Sequence, residues 1–117
     1  MSGKISYLAG LAAEDQVAQD YQRRGHKILS RRWRGALGEI DLVTEKDGEV
    51  IFIEVKKARS FAHAAERLTA RQIKRIYASA EHYIGQLATG LNTACRFDVA
   101  LVDGLGRIDI RENAILG

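Results

Sequence analysis

The chain has 117 residues, 46% apolar and 28% charged, and carries a formal net charge of +3. That length and balance point to one ordinary globular domain spanning residues 1–117, and no apolar run approaches the roughly 20 residues of a bilayer-spanning helix. A single cysteine, Cys95, excludes an internal disulfide and a cysteine-based zinc site.

Residues 1–7 lack the apolar core of a secretory leader, so a cytoplasmic location and no membrane partner are expected. From about Ser6 to Arg24, apolar residues recur at helical spacing (Tyr7, Leu11, Val17, Ala18, Tyr21), and Gly25 is the expected stop. Glu14 falls inside that stripe. A carboxylate there is costly unless it is paired, protonated or metal-bound. On helix geometry alone it reads as a stripe-edge residue reaching water or a basic partner.

His26–Arg34 reads as a first strand, with Trp33 packed half-buried at a sheet end. A hairpin follows, Gly38–Val43 and Val50–Lys57, turning at Asp47-Gly48. Ile40 and Leu42, then Ile51, Ile53 and Val55, form its apolar face. Glu39, Asp41, Glu54 and Lys56 alternate with them. With Asp47 and Gly48 as the loop, Lys46 pairs with Glu49, which sets Asp41 opposite Glu54 and Glu39 opposite Lys56. A one-residue slip would send the apolar sets to opposite faces.

Two carboxylates so placed repel unless a cation lies between them. Asp41 and Glu54 are therefore candidate ligands for Mg²⁺ or Mn²⁺, with the Val55 carbonyl as a further donor. Lys56, on the Glu54 side of the strand, can orient a water and stabilise developing negative charge. These are the parts needed for metal-assisted phosphodiester hydrolysis. Glu39 reads as a supporting partner of Lys56 or a simple ion pair.

Ala58–Leu68 shows no clear period and reads as a loop with room for a helical turn, holding Ser60, Phe61 and His63, that could act as a flap beside the site. Thr69-Ala70-Arg71-Gln72 is a capping-box pattern opening a helix to about Ala88. Ile73, Ile76, Tyr77, Ala80, Ile84 and Leu87 form its core face. Cys95–Val102 is apolar enough for a strand buried on both faces, with Arg96 and Asp98 alternating outward, either to pair with each other or to approach the site. A turn at Asp103–Gly106 leads to an edge strand, Arg107–Arg111, and Ile115 and Leu116 are expected to dock the tail. The order helix, three strands, helix, two strands implies an α/β mixed sheet flanked by helices.

Fourteen of the 18 Lys and Arg residues lie between Arg23 and Arg75. Clustered basic charge suits a polyanion, and Arg31, Arg32, Arg34, Lys57, Arg59, Arg71 and Lys74 are the expected nucleic-acid contacts.

The pattern Asp41…Glu54-Val55-Lys56, in this element order, resembles the PD-(D/E)xK nuclease superfamily with its restriction-endonuclease-like fold. More narrowly, the chain resembles the YraN-type family of small bacterial proteins. The matching residues include Gly10, Glu14, Ala18 and Tyr21, then Gly25, Ile28-Leu29 and Arg34. They continue through Gly38-Glu39-Ile40-Asp41-Leu42-Val43, Phe52-Ile53-Glu54-Val55-Lys56, Ala80, Tyr83 and Arg96-Phe97-Asp98-Val99. That family is similar to archaeal Holliday-junction resolvases. The resemblance implies metal ligation by Asp41 and Glu54, a catalytic Lys56, and a Glu14 that completes the site. It also implies DNA rather than RNA as ligand, and a homodimer. Two positions depart from the pattern. The family's arginine two places after the lysine falls three after, at Arg59, and its lysine early in the second long helix falls on Gln72.

Three functions compete on the sequence. The first is a Mg²⁺- or Mn²⁺-dependent endonuclease acting on DNA, including branched DNA. The second is a non-catalytic nucleic-acid-binding module on a nuclease scaffold. The third is a protein-interaction module in which Asp41, Glu54 and Lys56 form only ion pairs.

Overall fold

The computed structural model describes residues 3–114, with side chains from Gly10 onward. Tyr7 of the first stripe and the contacts expected of Ile115 and Leu116 lie outside the described residues and side chains. Helix α1 (Gly3–Arg23) stops at Gly25, whose φ of +89° is left-handed backbone that glycine adopts without steric cost.

Three strands follow: β1 (Lys27–Gly35), β2 (Gly38–Lys46) and β3 (Glu49–Lys57). Asp47 and Gly48 have φ of +53° and +80°. Both central residues are thus left-handed, the turn whose twist matches that of the flanking strands. Lys46 faces Glu49, and the pairing runs without a slip to Leu42–Ile53, so the expected register is present.

The helical turn allowed for in the loop segment is present as a short helix, α2 (Phe61–Glu66). Ser60 Oγ accepts the His63 amide, while Phe61, Ala64 and Leu68 pack against Val99 and Leu101. Six residues are under two turns, too few for a period to be read. Helix α3 (Ala70–Gly85) begins with both capping-box hydrogen bonds between Thr69 and Gln72. Strands β4 (Cys95–Val102) and β5 (Ile108–Arg111) complete the sheet.

The sheet order is β1-β2-β3-β4-β5. Only β3 and β4 run parallel, because the crossover through α2 and α3 returns the chain to the starting end. This mixed sheet flanked by helices is compatible with the restriction-endonuclease-like fold.

Both faces of the hairpin are covered, not one. On the α1 side, Ala13, Val17, Ala18 and Tyr21 pack with Leu42, Ile51, Ile53, Ala100 and Val102. On the α3 side, Ala80 and Ile84 pack with Ile40, Val43, Val50 and Phe52, and Trp33 and Cys95 lie against that cluster. Ile40 and Leu42 therefore face opposite ways, contrary to the single apolar face expected of them. The reason lies across the ladder. Arg31 pairs with Leu42 and Trp33 with Ile40, yet Arg31 reaches Asp15 of α1 while Trp33 packs on the α3 side. Residues two apart on a regular strand share a face. Between them Arg32 has φ +52°, and this left-handed residue rotates the strand so that the face changes. Asp98, expected to point outward, is fully buried under α1, where Tyr21 donates to it at 2.8 Å.

Candidate functional site

The switch of faces at Arg32 brings its cross-strand neighbour Asp41 into the gap between α1 and α3. There the β2–β3 pairing ends. Beyond Leu42–Ile53, the Val55 amide donates at 2.9 Å to the Asp41 carboxylate Oδ2 rather than to the facing backbone. Glu54 lies beside Asp41, where each carboxyl perturbs the other, and Lys56 Nζ lies 3.3 Å from Glu54 Oε1. The Glu54 and Lys56 side chains are only 12% and 14% exposed, so this acid–acid–lysine chain is largely out of water. Val55 itself sits in the parallel ladder opposite Ala100.

Burial dominates the electrostatics. It raises Asp41 above the usual carboxylate range, opposed by the Val55 amide. It pushes Glu54 up to about 8, reinforced by Asp41 and opposed by Lys56. Two adjacent buried carboxylates cannot both ionise cheaply, so burial raises both above the free value.

Above this pair opens a cleft of about 340 Å³. Helix α1 contributes Glu14, the β1–β2 pair contributes Arg32 and Glu39, and α3 contributes Gln72, Arg75 and Ile76. Glu14 Oε2 is buried without a hydrogen-bond partner, with Arg32 Nε at 3.4 Å as an ion pair. Burial and then Asp41 raise the Glu14 carboxyl to about 7, against the pull of Arg32. Glu14 thus lines the cleft and meets Arg32, the basic partner that the stripe-edge reading allows. Glu39 does not meet Lys56. It pairs with Arg32 at 3.5 Å and Arg34 at 3.2 Å, because Lys56 turns back along its own strand to Glu54.

The donor set suits a hard cation. Asp41 and Glu54 offer oxygen donors whose mutual repulsion a divalent ion would relieve. Among the described residues no group of three or more His, Cys, Asp or Glu is placed to hold a metal ion. Mg²⁺ does not need one, since it keeps several waters and binds through one or two carboxylates. The chemistry therefore fits Mg²⁺ or Mn²⁺ at Asp41 and Glu54.

A sequence profile described as "Uncharacterised protein family UPF0102" matches residues 13–102. The UPF0102 protein of Cereibacter sphaeroides strain ATCC 17025 is 55% identical over 97% of both chains. That of Ruegeria pomeroyi is 54% identical over 96% of this chain and 91% of its own. That of Roseobacter denitrificans is 48% identical over 97% and 88%.

This chain belongs to the UPF0102 family.

It is the YraN family that the sequence motifs resemble. The UPF0102 span contains every residue that lines the cleft, from Glu14 on α1 to Ile76 on α3, and ends with β4. None of the helices described for this UPF0102 protein is long and apolar enough to cross a membrane.

The basic residues divide into three groups. Arg31 is held by Asp15 at 2.9 Å, Arg34 by Glu39, and Arg59 by His63 at 2.8 Å. Arg71 and Lys74 are exposed on α3, and Lys57 is half-buried at the end of β3. Arg32 and Arg75 line the cleft. Arg75 belongs to the basic cluster visible in the sequence but was not among the expected contacts. Its signal was the three-residue step from Gln72, which puts the two on one helix face. His63 lines a separate cavity with Arg59, Glu66 and Arg67, and Ser60 holds its Nδ1 at 2.6 Å.

Proposed function

We propose that this UPF0102 protein is a divalent-cation-dependent endonuclease that hydrolyses phosphodiester bonds of DNA. The observation that carries the reading is the buried Asp41–Glu54 pair joined to Lys56 in a cleft walled by Arg32 and Arg75. A protein that gained only stability from this region would be better served by apolar side chains. Asp41 and Glu54 would hold Mg²⁺ or Mn²⁺. The bound cation lowers the pKa of a ligating water and offsets phosphate charge.

The chain's own residues supply the rest. The Val55 amide fixes the Asp41 carboxylate, which leaves its other oxygen for ligation. Lys56, which lies 3.3 Å from Glu54, would donate to the phosphoryl oxygens as negative charge builds. Arg71 and Lys74 on the exposed side of α3 supply the backbone-phosphate contacts, which fix register without reading sequence.

The test is incubation of duplex, single-stranded, flap and four-way DNA with the protein and Mg²⁺ or Mn²⁺. Cleavage of at least one substrate, lost in Asp41→Ala and Glu54→Ala, is expected. No cleavage of any, or cleavage indifferent to both substitutions, overturns the reading.

One observation favours a second reading, a DNA-binding module without turnover. Gln72, a neutral amide, lines the cleft where the family pattern has lysine. This reading expects salt-sensitive DNA binding in gel shifts with no metal-dependent cleavage, and Gln72→Lys would then restore cutting.

A further inference from the structure

Three non-glycine residues have positive φ among those described: Arg32, Asp47 and Asn113. Asp47 and Asn113 are the short polar residue types that tolerate left-handed backbone, and both lie in turns. Arg32 is neither short nor in a turn. It sits inside β1, where left-handed backbone is strained and persists only if surrounding contacts hold it.

What holds it is charge. The Arg32 Nε lies 3.4 Å from Glu14 Oε2 and 3.5 Å from Glu39 Oε1, which ties α1 to β2 across the mouth of the cleft. The same side chain also borders a smaller cavity of about 130 Å³ between α1 and the β1–β2 pair, where Leu11 and Leu42 line the wall. Arg32, Glu14 and Asp41 border both spaces, so the guanidinium stands at the partition between them. Four acids line this cleft, at 14, 39, 41 and 54, and Arg32 pairs with two of them.

We propose that Arg32 is the resident cation of this cleft: its guanidinium holds Glu14 and Glu39 in the absence of a divalent ion, competes with that ion, and so sets the affinity of the site for metal. The proposal rests on the divalent-cation part of the reading above but not on DNA cleavage. A positive guanidinium lining the same cleft as Asp41 and Glu54 repels an incoming M²⁺ and occupies Glu14 and Glu39, which would otherwise assist it. The strained backbone keeps the side chain aimed there. Arg32 is thus a positioning residue that acts through the acids and not on the reacting atoms.

The experiment is a Mn²⁺ titration of the metal-free full chain, following the electron paramagnetic resonance signal of free Mn²⁺. Arg32→Asn and Arg32→Gly both suit left-handed backbone and remove the charge. Arg32→Lys keeps the charge. Arg31→Asn, on the neighbouring residue bound to Asp15, is the control, and circular dichroism verifies folding of each. Removing the charge is expected to tighten Mn²⁺ binding about tenfold or more. Lysine should stay near wild type, and Arg31→Asn should change nothing. Unchanged or weaker binding in the Asn and Gly variants overturns the proposal, as does Mn²⁺ uptake by none of the proteins. Tighter binding in those variants without DNA cleavage upholds it while removing the nuclease reading.

Discussion

The amide of Val55 donates to the carboxylate of Asp41 at 2.9 Å, in the place where a regular hairpin would carry on its backbone ladder. One side chain thus does two jobs: it ends the β2–β3 pairing and presents the carboxylate to the cleft. The two can be separated. Asp41→Asn keeps an acceptor for the Val55 amide, whereas Asp41→Ala leaves a partly buried donor unmet, a loss of roughly 1–3 kcal/mol. Urea denaturation without metal should therefore show Asp41→Ala clearly destabilised and Asp41→Asn close to wild type or above it. Both should lose any Mn²⁺-dependent gain in stability. Equal stability of the two variants would show that the hydrogen bond is incidental.

Glu54 and Glu14 make the metal-free protein sensitive to pH in a definite direction. Burial raises Glu54 to about 8 and Glu14 to about 7 from an unfolded value of 4.5. Between about 4.5 and 8 the folded chain holds protons that the unfolded chain has already released, so stability falls as pH rises through that window. Below it both states are protonated and the contribution is fully present. His26 works in the opposite direction, since burial lowers its pKa and favours the neutral ring as pH rises. The clean measurement is therefore a difference: melting temperature of wild type minus that of Glu54→Gln, from pH 5 to 9 in chelator. That difference should decline steadily toward pH 8. A flat difference would mean that Glu54 ionises normally in the folded chain. Mn²⁺ binding at pH 7 should also release a proton, visible as buffer-dependent heat in calorimetry.

The hairpin was legible because Asp47-Gly48 admits one tight turn, and that turn fixes every pair from Lys46–Glu49 inward. Helix α3 was legible from its capping box, although it ends at Gly85 rather than near Ala88. The change of face between Ile40 and Leu42 was not legible, because it depends on one backbone dihedral at Arg32 that no residue pattern announces. Glu14 shows the same limit from the other side. Its place in the helix stripe was visible, but only the resemblance, and then the packing of α1 over the hairpin, gave it neighbours in Arg32 and Asp41. Asp98 read as outward-facing because alternation cannot reveal that Tyr21 reaches it from a helix 77 residues away.

Arg75 and Arg71 both carry charge on α3, yet only Arg75 lines the cleft. In a DNA-binding assay both Arg71→Ala and Arg75→Ala should weaken affinity and lower the salt slope by about one, as for loss of a single phosphate contact. Turnover separates them. Arg75→Ala should also lower the cleavage rate at saturating DNA, by roughly tenfold or more, and Arg75→Lys should recover only part of it because a lysine cannot offer the planar fork. Arg71→Ala should leave the saturating rate unchanged. Arg31→Ala, whose guanidinium is already held by Asp15, should change neither.

The Tyr21–Asp98 hydrogen bond belongs to a network away from the cleft and predicts loss of stability without loss of chemistry. Asp98 is fully buried and accepts from the Tyr21 hydroxyl at 2.8 Å, Arg96 Nε at 3.0 Å and the Asn113 amide at 2.8 Å. It ties α1, β4 and the segment after β5 together. Asp98→Ala leaves the Tyr21 hydroxyl and the Asn113 amide without their acceptor, while Arg96 keeps Glu49 and Glu112, and should cost about 2–4 kcal/mol. Tyr21→Phe removes one donor of several and should cost about 1–2 kcal/mol. Thermal and urea melts would give that order. Mn²⁺ affinity and DNA cleavage, measured well below the melting temperature and scaled to folded protein, should match wild type in Tyr21→Phe. A selective fall in either would instead tie the packing of α1, and with it Glu14, to the Tyr21 hydroxyl.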